Sequence, residues 1–126
     1  MKHLLLCSAL VGFLGCGGDG GSSGLPDSKV VGTLTPAESD ALCQEFVADF
    51  PARTIDCGGG FTVEIGTTAA DCDGSTPPAT CTATVGDFRE CFDMLSGLSD
   101  AEFCMLEVPP AACSAVLGPG CVVDDQ

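Results

Sequence analysis

The clearest structural pattern of this chain lies in residues 35–51, TPAESDALCQEFVADFP. Thr35 is a favourable helix N-cap, Pro36 suits the first helical position because its missing N–H costs nothing there, and Glu38 is placed to bond back to the cap. Apolar side chains then recur at helical spacing, at Leu42, Cys43, Phe46, Val47 and Phe50. Pro51 stops the helix, because the residue before a proline is pushed out of the helical region. The segment predicts a capped amphipathic helix with a cysteine inside its buried face.

Two further segments predict helices, and one predicts a strand. Residues 84–97 combine a capping signal, apolar residues at i, i+3, i+4 and i+7 and a final glycine, and residues 99–108 repeat the capping signal before two prolines. Residues 61–65, FTVEI, alternate apolar and polar side chains with Phe61, Val63 and Ile65 inward, and residues 81–85 are the predicted partner strand. The predicted fold is a small, mainly helical α+β domain with two to three short helices and a minor two-stranded β element.

The ten cysteines divide into two groups. Cys7 and Cys16 lie in the first sixteen residues, and eight follow, an even number that can pair completely: Cys43, Cys57, Cys72, Cys81, Cys91, Cys104, Cys113 and Cys121. A short chain with that many half-cystines is typical of exported domains whose modest core is supplemented by disulfides. Spacing leaves the connectivity open, with a bridge from Cys72 to Cys81 as one candidate.

The first fifteen residues have the features of a secretory signal peptide. Lys2 supplies positive charge, and residues 4–14 are apolar except for Ser8 and Gly12. This apolar run is too short to span a bilayer as a stable helix. Residues 1–15 are therefore predicted to be a leader that export removes.

The end of the leader, FLGC at residues 13–16, resembles the bacterial lipobox. In that motif a small residue precedes a cysteine that is lipidated and becomes the N-terminus. Gly15 and Cys16 match the motif, whereas Phe13 and Leu14 depart from its usual residues. The alternative is ordinary cleavage with a free thiol at Cys16, which an oxidising compartment disfavours. The resemblance implies a lipid anchor on Cys16.

The residues after Cys16 predict a tether. Residues 17–24, GGDGGSSG, cannot bury apolar surface and are typical of a flexible coil. We expect a disordered Gly-rich tether over residues 16–34, a globular domain over residues 35–121 and a frayed tail over residues 122–126. In lipoprotein sorting an Asp directly after the lipidated cysteine favours the inner membrane, and Gly17 at that position favours the outer membrane.

Charge limits the partners. All eighteen acidic residues follow Cys16, and only Lys29, Arg53 and Arg89 oppose them, so the processed chain carries a side-chain charge of −15. Nucleic acid is excluded as a partner, because three scattered basic residues cannot form a phosphate-binding patch. Docking onto anionic lipid is disfavoured for the same reason, so membrane attachment must come through the acyl chains. The acid excess predicts a solvated surface, with binding of divalent cations as the alternative.

The residue inventory disfavours catalysis. The only histidine, His3, leaves with the leader, which excludes Ser-His-Asp and Cys-His nucleophile sites from the processed chain. No cysteine pair has the C-x-x-C spacing of zinc or thioredoxin-like redox sites. We therefore predict a protein that is not an enzyme and that has no cofactor.

One acidic segment, DCDGS at residues 71–75, suggests a metal site. Calcium loops alternate oxygen ligands and place a glycine at a sharp turn, but Gly74 comes two places early for the EF-hand pattern. An Asp-Gly turn with exposed carboxylates is the favoured interpretation. Asp71 and Asp73 remain weak candidates for a metal site or for a pair of catalytic carboxylates.

The chain also resembles a known group of proteins. A leader ending in a lipobox, a Gly-rich tether, a capped helix carrying ALC at residues 41–43, and CTATVGDFREC at residues 81–91 are similar to uncharacterised cysteine-rich lipoproteins common in myxobacterial genomes. The similarity covers most of residues 34–121. Because that family has no assigned activity, the resemblance implies only the envelope location and the fold.

These observations predict a non-enzymatic lipoprotein of the cell envelope that binds or scaffolds an unidentified envelope protein. The alternative is a carrier of a small apolar ligand, with a cavity lined by Phe46, Phe50, Phe88 and Phe92. These four rings serve equally well as plain core, which is the more common role of such residues. A divalent-cation-binding surface protein is a weaker alternative.

Overall fold

The structure is a computed structural model that describes residues 23–74 and 76–122. It contains three α-helices, α1 (Pro36–Asp49), α2 (Val85–Ser96) and α3 (Asp100–Cys104), and a two-stranded sheet of β1 (Arg53–Gly58) and β2 (Phe61–Ile65). Short 3₁₀ turns occupy Val31–Thr33, Ala69–Cys72 and Ala111–Cys113. This confirms the predicted small disulfide-rich α+β domain. The predicted leader, Cys16 and all but the first residue of the predicted tail lie outside the described residues.

All three α-helices begin at the predicted caps. The hydroxyls of Thr35, Thr84 and Ser99 each accept the backbone N–H of the acidic residue three positions on, and that carboxylate accepts the backbone N–H of the cap. α1 ends at Asp49, just before Pro51, and α2 is followed by Gly97 as C-cap. Helix ends specified by residues only a few positions apart are set by local chemistry.

The sheet differs from the prediction. β2 pairs antiparallel with β1, with Ile55 opposite Val63, rather than with residues 81–85. Gly58, Gly59 and Gly60 all adopt positive φ, which lets the chain turn back directly after β1. A local hairpin closes with less entropy loss than a pairing across an excursion. The prediction that Phe61 points inward is also wrong, since its side chain lies beside this turn and is 63% exposed.

Residues 23–34, here called the N-terminal strap, pack on the domain instead of continuing the tether. Val31 is 1% exposed and belongs to the core cluster with Leu42, Phe46 and Val85. The strap backbone bonds to residues 81–86, the segment predicted to pair with β2. The predicted domain boundary at residue 35 therefore lies too far along the chain, because the valines after the Gly/Ser run have a partner segment that spacing does not reveal.

Four disulfides connect these elements: Cys43–Cys72, Cys57–Cys104, Cys81–Cys121 and Cys91–Cys113. The candidate bridge from Cys72 to Cys81 is wrong. Cys72 ends a 3₁₀ turn that packs on α1, whereas Cys81 lies against the strap. No helix within residues 23–74 and 76–122 is long and apolar enough to cross a membrane.

Candidate functional site

The eight cysteines predicted to pair are all half-cystines of the four bridges. Cys72, Cys81, Cys91 and Cys113 are also buried. Disulfide sulfurs are neither nucleophiles nor metal ligands, so these residues act through the stability and shape of the domain. Cys16, the predicted lipidation site, lies outside the described residues.

Asp71 and Asp73, the weak metal candidates, have different surroundings. The carboxylate of Asp71 accepts hydrogen bonds from the backbone N–H of Thr68 at 2.8 Å and from its hydroxyl at 2.7 Å. These two bonds lower the pKa of Asp71 and make it the partner in a capping box. Asp73 is exposed. Across residues 23–74 and 76–122, no three histidine, cysteine or acidic side chains are grouped to hold a metal ion.

The four phenylalanines of the predicted cavity have two roles. Phe46 and Phe50 are buried and fill the space between α1 and α2. The rings of Phe46 and Phe92 stack with centroids 4.1 Å apart, and Phe50 meets Phe92 edge-on at 5.9 Å. Phe88 and Phe92 are only partly buried. The first pair is therefore core, and the second pair reaches the surface.

Phe88 and Phe92 line a groove that we call the α2 groove. One wall is the apolar face of α2, at Phe88, Phe92 and Leu95, and the other is the loop wall, residues 106–117. The Cys91–Cys113 bridge joins the two walls, and the cavity volume is about 370 Å³. The groove is lined by apolar side chains, and Glu107 is the one charged residue in its lining.

The sequence explains why the loop wall stands away from α2. Pro109 and Pro110 cannot continue a helix after α3, so residues 105–110 run without regular structure until the 3₁₀ turn at Ala111–Cys113. The disulfide at Cys113 then ties this turn back to α2. Apolar side chains on the loop wall are left open to solvent, with Leu106 42%, Val108 72% and Leu117 48% exposed.

A polar cluster around Arg89 lies one position along α2 from Phe88. The guanidinium grips the carboxylate of Glu45 at two points, Nε to Oε1 at 2.7 Å and Nη2 to Oε2 at 3.0 Å. It also donates to the Leu25 carbonyl at 2.9 Å and to Asp27 at 2.5 Å. The backbone N–H and hydroxyl of Ser23 donate to Glu45 at 2.8 and 2.6 Å. The cluster thereby ties α1, α2 and the strap together.

Electrostatics in this cluster favour the charged forms. Burial raises the pKa of Glu45, but hydrogen bonds from Arg89 and Ser23 outweigh burial and lower that pKa to about 2. The bonds to Glu45 raise the pKa of Arg89 further above its ordinary value. A permanently ionised and fully bonded pair cannot exchange protons near neutral pH. The cluster therefore has a structural role, linking α1, α2 and the strap, rather than a catalytic one.

Sequence reasoning missed this cluster. Glu45 falls on the polar side of the α1 pattern, and Arg89 enters only the charge count. The pairing of residues 44 positions apart leaves no local sequence signal.

A second concavity, of about 330 Å³, lies between the hairpin and the 3₁₀ turn at Ala69–Cys72. Its polar lining includes Arg53, Glu64 and Asp71. Arg53 is paired with Asp100 at 2.6 Å, and Asp71 is held by Thr68. Among residues 23–74 and 76–122, Arg53 and Asp71 thus already have partners and only Glu64 of these three has none, which makes this concavity the weaker candidate.

No protein-family model, curated protein or solved structure matches this chain.

Proposed function

We propose that this chain is a non-enzymatic lipoprotein of the cell envelope, exported, anchored by lipid on Cys16 at the outer membrane, and equipped with a domain that binds or scaffolds a partner. The observation that carries the proposal is the complete pairing of the eight cysteines from Cys43 to Cys121. Disulfides form and persist in oxidising compartments outside the cytoplasm. Because this pairing uses every later cysteine, Cys16 is left without a disulfide partner once the leader with Cys7 is removed.

The contacts of the strap limit the distance between a lipid anchor on Cys16 and the domain. Ser23 is fixed to the domain through Glu45 and Arg89. Ser23 follows Cys16 by seven positions in the sequence, and a stretch of seven residues spans at most about 25 Å. A lipid on Cys16 therefore holds the domain close to the membrane surface, where a partner in the same envelope layer is within reach.

The non-enzymatic role is supported by how the polar groups are used. Glu45 and Arg89 bond to each other and to the strap. Glu38, Asp87 and Glu102 cap helices. The groups with the strongest polar contacts in the described chain thus hold secondary structure in place, whereas a catalytic centre keeps such groups available for substrate.

Intact mass measurement of the protein purified from envelope membranes tests the proposal. We expect an N-terminal Cys16 carrying three acyl chains and, because four bridges form, a mass lower by eight hydrogens than that of the reduced chain. A Cys16→Ser variant is the control and should lose the acyl mass and the membrane fraction. A wild-type chain that retains Met1, or whose later cysteines react with an alkylating reagent without reduction, would contradict the proposal.

The second candidate, a carrier of a small apolar ligand, is favoured by one observation. Phe88 and Phe92 line an apolar concavity whose volume of about 370 Å³ lies within the range of small-ligand sites. Organic extraction of the purified protein followed by mass spectrometry distinguishes this role. A stoichiometric lipid would support the carrier, and material without lipid would favour the binding or scaffolding role.

A further inference from the structure

Exposed apolar side chains line one wall of the α2 groove. Seven large hydrophobic residues of the described chain are exposed: Phe61, Met94, Met105, Leu106, Val108, Leu117 and Val122. Five of them fall within residues 94–117, and three form the loop wall of the α2 groove. Clustered apolar exposure of this kind marks interaction sites, whereas single exposed residues do not.

The form of the groove favours a protein segment over a small molecule. Sites for small apolar ligands bury roughly 70–90% of the ligand, but the loop wall is too open for that, since Val108 is 72% exposed. The opposite wall presents Phe88, Phe92 and Leu95, spaced i, i+4 and i+7 along α2. Two apolar walls on either side of an open trough suit an amphipathic segment that lays its apolar side chains between them.

Charge identifies the chemistry of that segment. Glu107 lines the groove and has no hydrogen-bond or ion-pair partner among residues 23–74 and 76–122. The three basic residues of this part of the chain are all paired elsewhere: Lys29 with Glu38, Arg53 with Asp100, and Arg89 with Asp27 and Glu45. The field at the groove is therefore negative, and complementarity calls for a basic partner.

The same charge disfavours the other occupants. A second copy of the processed chain would bring a like charge of −15 against Glu107, and residues 123–126 add two aspartates and no basic residue. Residues 1–15 are basic and apolar, but under the proposed function export removes them, so the inference rests on that function at this step. An external segment is the occupant that remains.

We infer that the α2 groove binds a basic amphipathic peptide segment of a partner protein, with apolar side chains between α2 and the loop wall and a lysine or arginine on Glu107. This deepens the binding role proposed above by assigning its surface and the chemistry of its partner.

Fluorescence anisotropy tests the inference. The protein is the chain from residue 17 onward, exported so that its disulfides form, because it keeps every contact described above. The probes are a labelled synthetic peptide of leucine and lysine at helical spacing and a companion with glutamate in place of lysine. We expect the lysine peptide to bind, with an affinity that falls as salt rises, and the glutamate peptide not to bind.

Matched variants locate the site. Glu107→Gln should weaken binding of the lysine peptide about two- to fivefold, as expected for one rim charge, and Leu117→Ser about tenfold through lost apolar contact. Glu90→Gln, at an exposed position of α2 that does not line the groove, and Phe61→Ser, beside the hairpin turn, should leave the affinity unchanged. All four positions are exposed, and unchanged circular dichroism shows that each variant keeps its fold.

Equal binding of the two peptides, or no loss of affinity with Leu117→Ser, overturns the inference. So does a dimer that Leu117→Ser dissociates in sedimentation, since the occupant is then a second copy. None of these outcomes bears on the proposed acylation of Cys16. Conversely, an intact mass showing that Met1 is retained overturns the proposed lipid anchor. Binding of the lysine peptide by the chain from residue 17 would still support the inferred binding site in the α2 groove.

Discussion

Arg89 on α2 holds Glu45 on α1 at two points, with Nε to Oε1 at 2.7 Å and Nη2 to Oε2 at 3.0 Å. The Glu45 side chain is 7% exposed and the Arg89 side chain 26%. Two charges withdrawn from water to this degree add little net stability compared with a well-packed apolar pair, but removal of one leaves the other without compensation. The strap depends on the same contact, because Ser23 bonds to both residues.

Replacement Arg89→Met should destabilise the domain by about 2–3 kcal/mol, because Glu45 would stay buried with only Ser23 to stabilise its charge. Urea unfolding of the oxidised protein at neutral pH measures this. Arg53→Met is the matched control: the Arg53–Asp100 pair has a similar distance, 2.6 Å, but its side chains are 46% and 61% exposed, so the loss should stay below about 1 kcal/mol. Equal losses in the two variants would show that burial of Glu45 does not decide the effect.

The double variant Glu45→Leu with Arg89→Met separates the penalty of an unpaired charge from the value of the pair. Because the buried carboxylate is then also gone, most of the loss caused by Arg89→Met should be recovered. A double variant as unstable as Arg89→Met alone would mean that the lost packing of the arginine, rather than the unpaired charge, is responsible.

Stability should fall in acid through Glu45. Hydrogen bonds from Arg89 and Ser23 lower the pKa of Glu45 in the folded chain to about 2, whereas its ordinary value is 4.5. A depressed folded pKa stabilises the fold above the unfolded value, so the contribution is complete above about pH 4.5 and is lost as the pH falls to about 2. The linkage amounts to about 3 kcal/mol.

Urea midpoints measured from pH 7 down to pH 2 check this dependence, with Glu45→Gln as the control. The variant should lose less stability over the same range. A residual slope of the same sign should remain, because backbone amides of the caps lower the pKa values of Glu38, Asp71 and Glu102. Parallel curves for the wild type and Glu45→Gln would contradict the assignment to Glu45.

Local signals made the helices predictable. Each α-helix start is specified by a hydroxyl and an acid three residues apart, and Gly97 ends α2 within the same local range. Such contacts involve residues no more than four positions apart, so the sequence shows them directly. β1 was missed for the opposite reason, because Ile55 is its only buried residue and gives no alternation to detect. Its pairing is imposed by the glycine turn that follows.

Long-range contacts were not predictable. The strap bonds to residues 81–86, 49 or more positions further along the chain, and Arg89 bonds to Glu45, 44 positions away. The disulfide partners are likewise far apart in the sequence. Of the four phenylalanines in the cavity hypothesis, Phe88 and Phe92 line the α2 groove. The outer wall of the groove was not predictable, because it comes from residues 106–117, where the sequence shows no periodic pattern.

The Cys57–Cys104 bridge should act locally. It joins β1 to α3, and a two-stranded hairpin on its own is marginally stable in water. In the double variant Cys57→Ala with Cys104→Ala, amides of Arg53–Gly58 and Phe61–Ile65 should lose hydrogen-exchange protection while those of α1 and α2 keep most of theirs.

The double variant Cys91→Ala with Cys113→Ala is the comparison. Both of these cysteines are buried, so loss of their bridge should lower the free energy of unfolding of the whole domain by about 2–5 kcal/mol. Uniform loss of protection in both variants would contradict a locally anchored hairpin.

The strap offers the sharpest steric test of the fold. A Cβ added at Gly32 would lie 2.5 Å from the Cys81 carbonyl oxygen and 2.7 Å from that of Ala79. These are backbone atoms that cannot rotate away, and the Gly32 N–H donates to the same Cys81 oxygen at 3.1 Å, so Gly32→Ala must push the strap off its partner segment. We expect a loss of about 1–3 kcal/mol in urea unfolding, together with faster hydrogen exchange at the Val31 N–H.

Gly97→Ala is the matched control for the change from glycine to alanine. Gly97 has ordinary helical angles, φ −79° and ψ −12°, and its added Cβ would meet nothing closer than the Met94 carbonyl oxygen at 3.5 Å. That substitution should be neutral or stabilising by up to about 1 kcal/mol, because it only restricts the unfolded chain. If Gly32→Ala proved as harmless as Gly97→Ala, the strap could not lie against residues 79–81. Ser23 would then not be fixed near Arg89 by this route, and the short distance between Cys16 and the domain would lose its structural support.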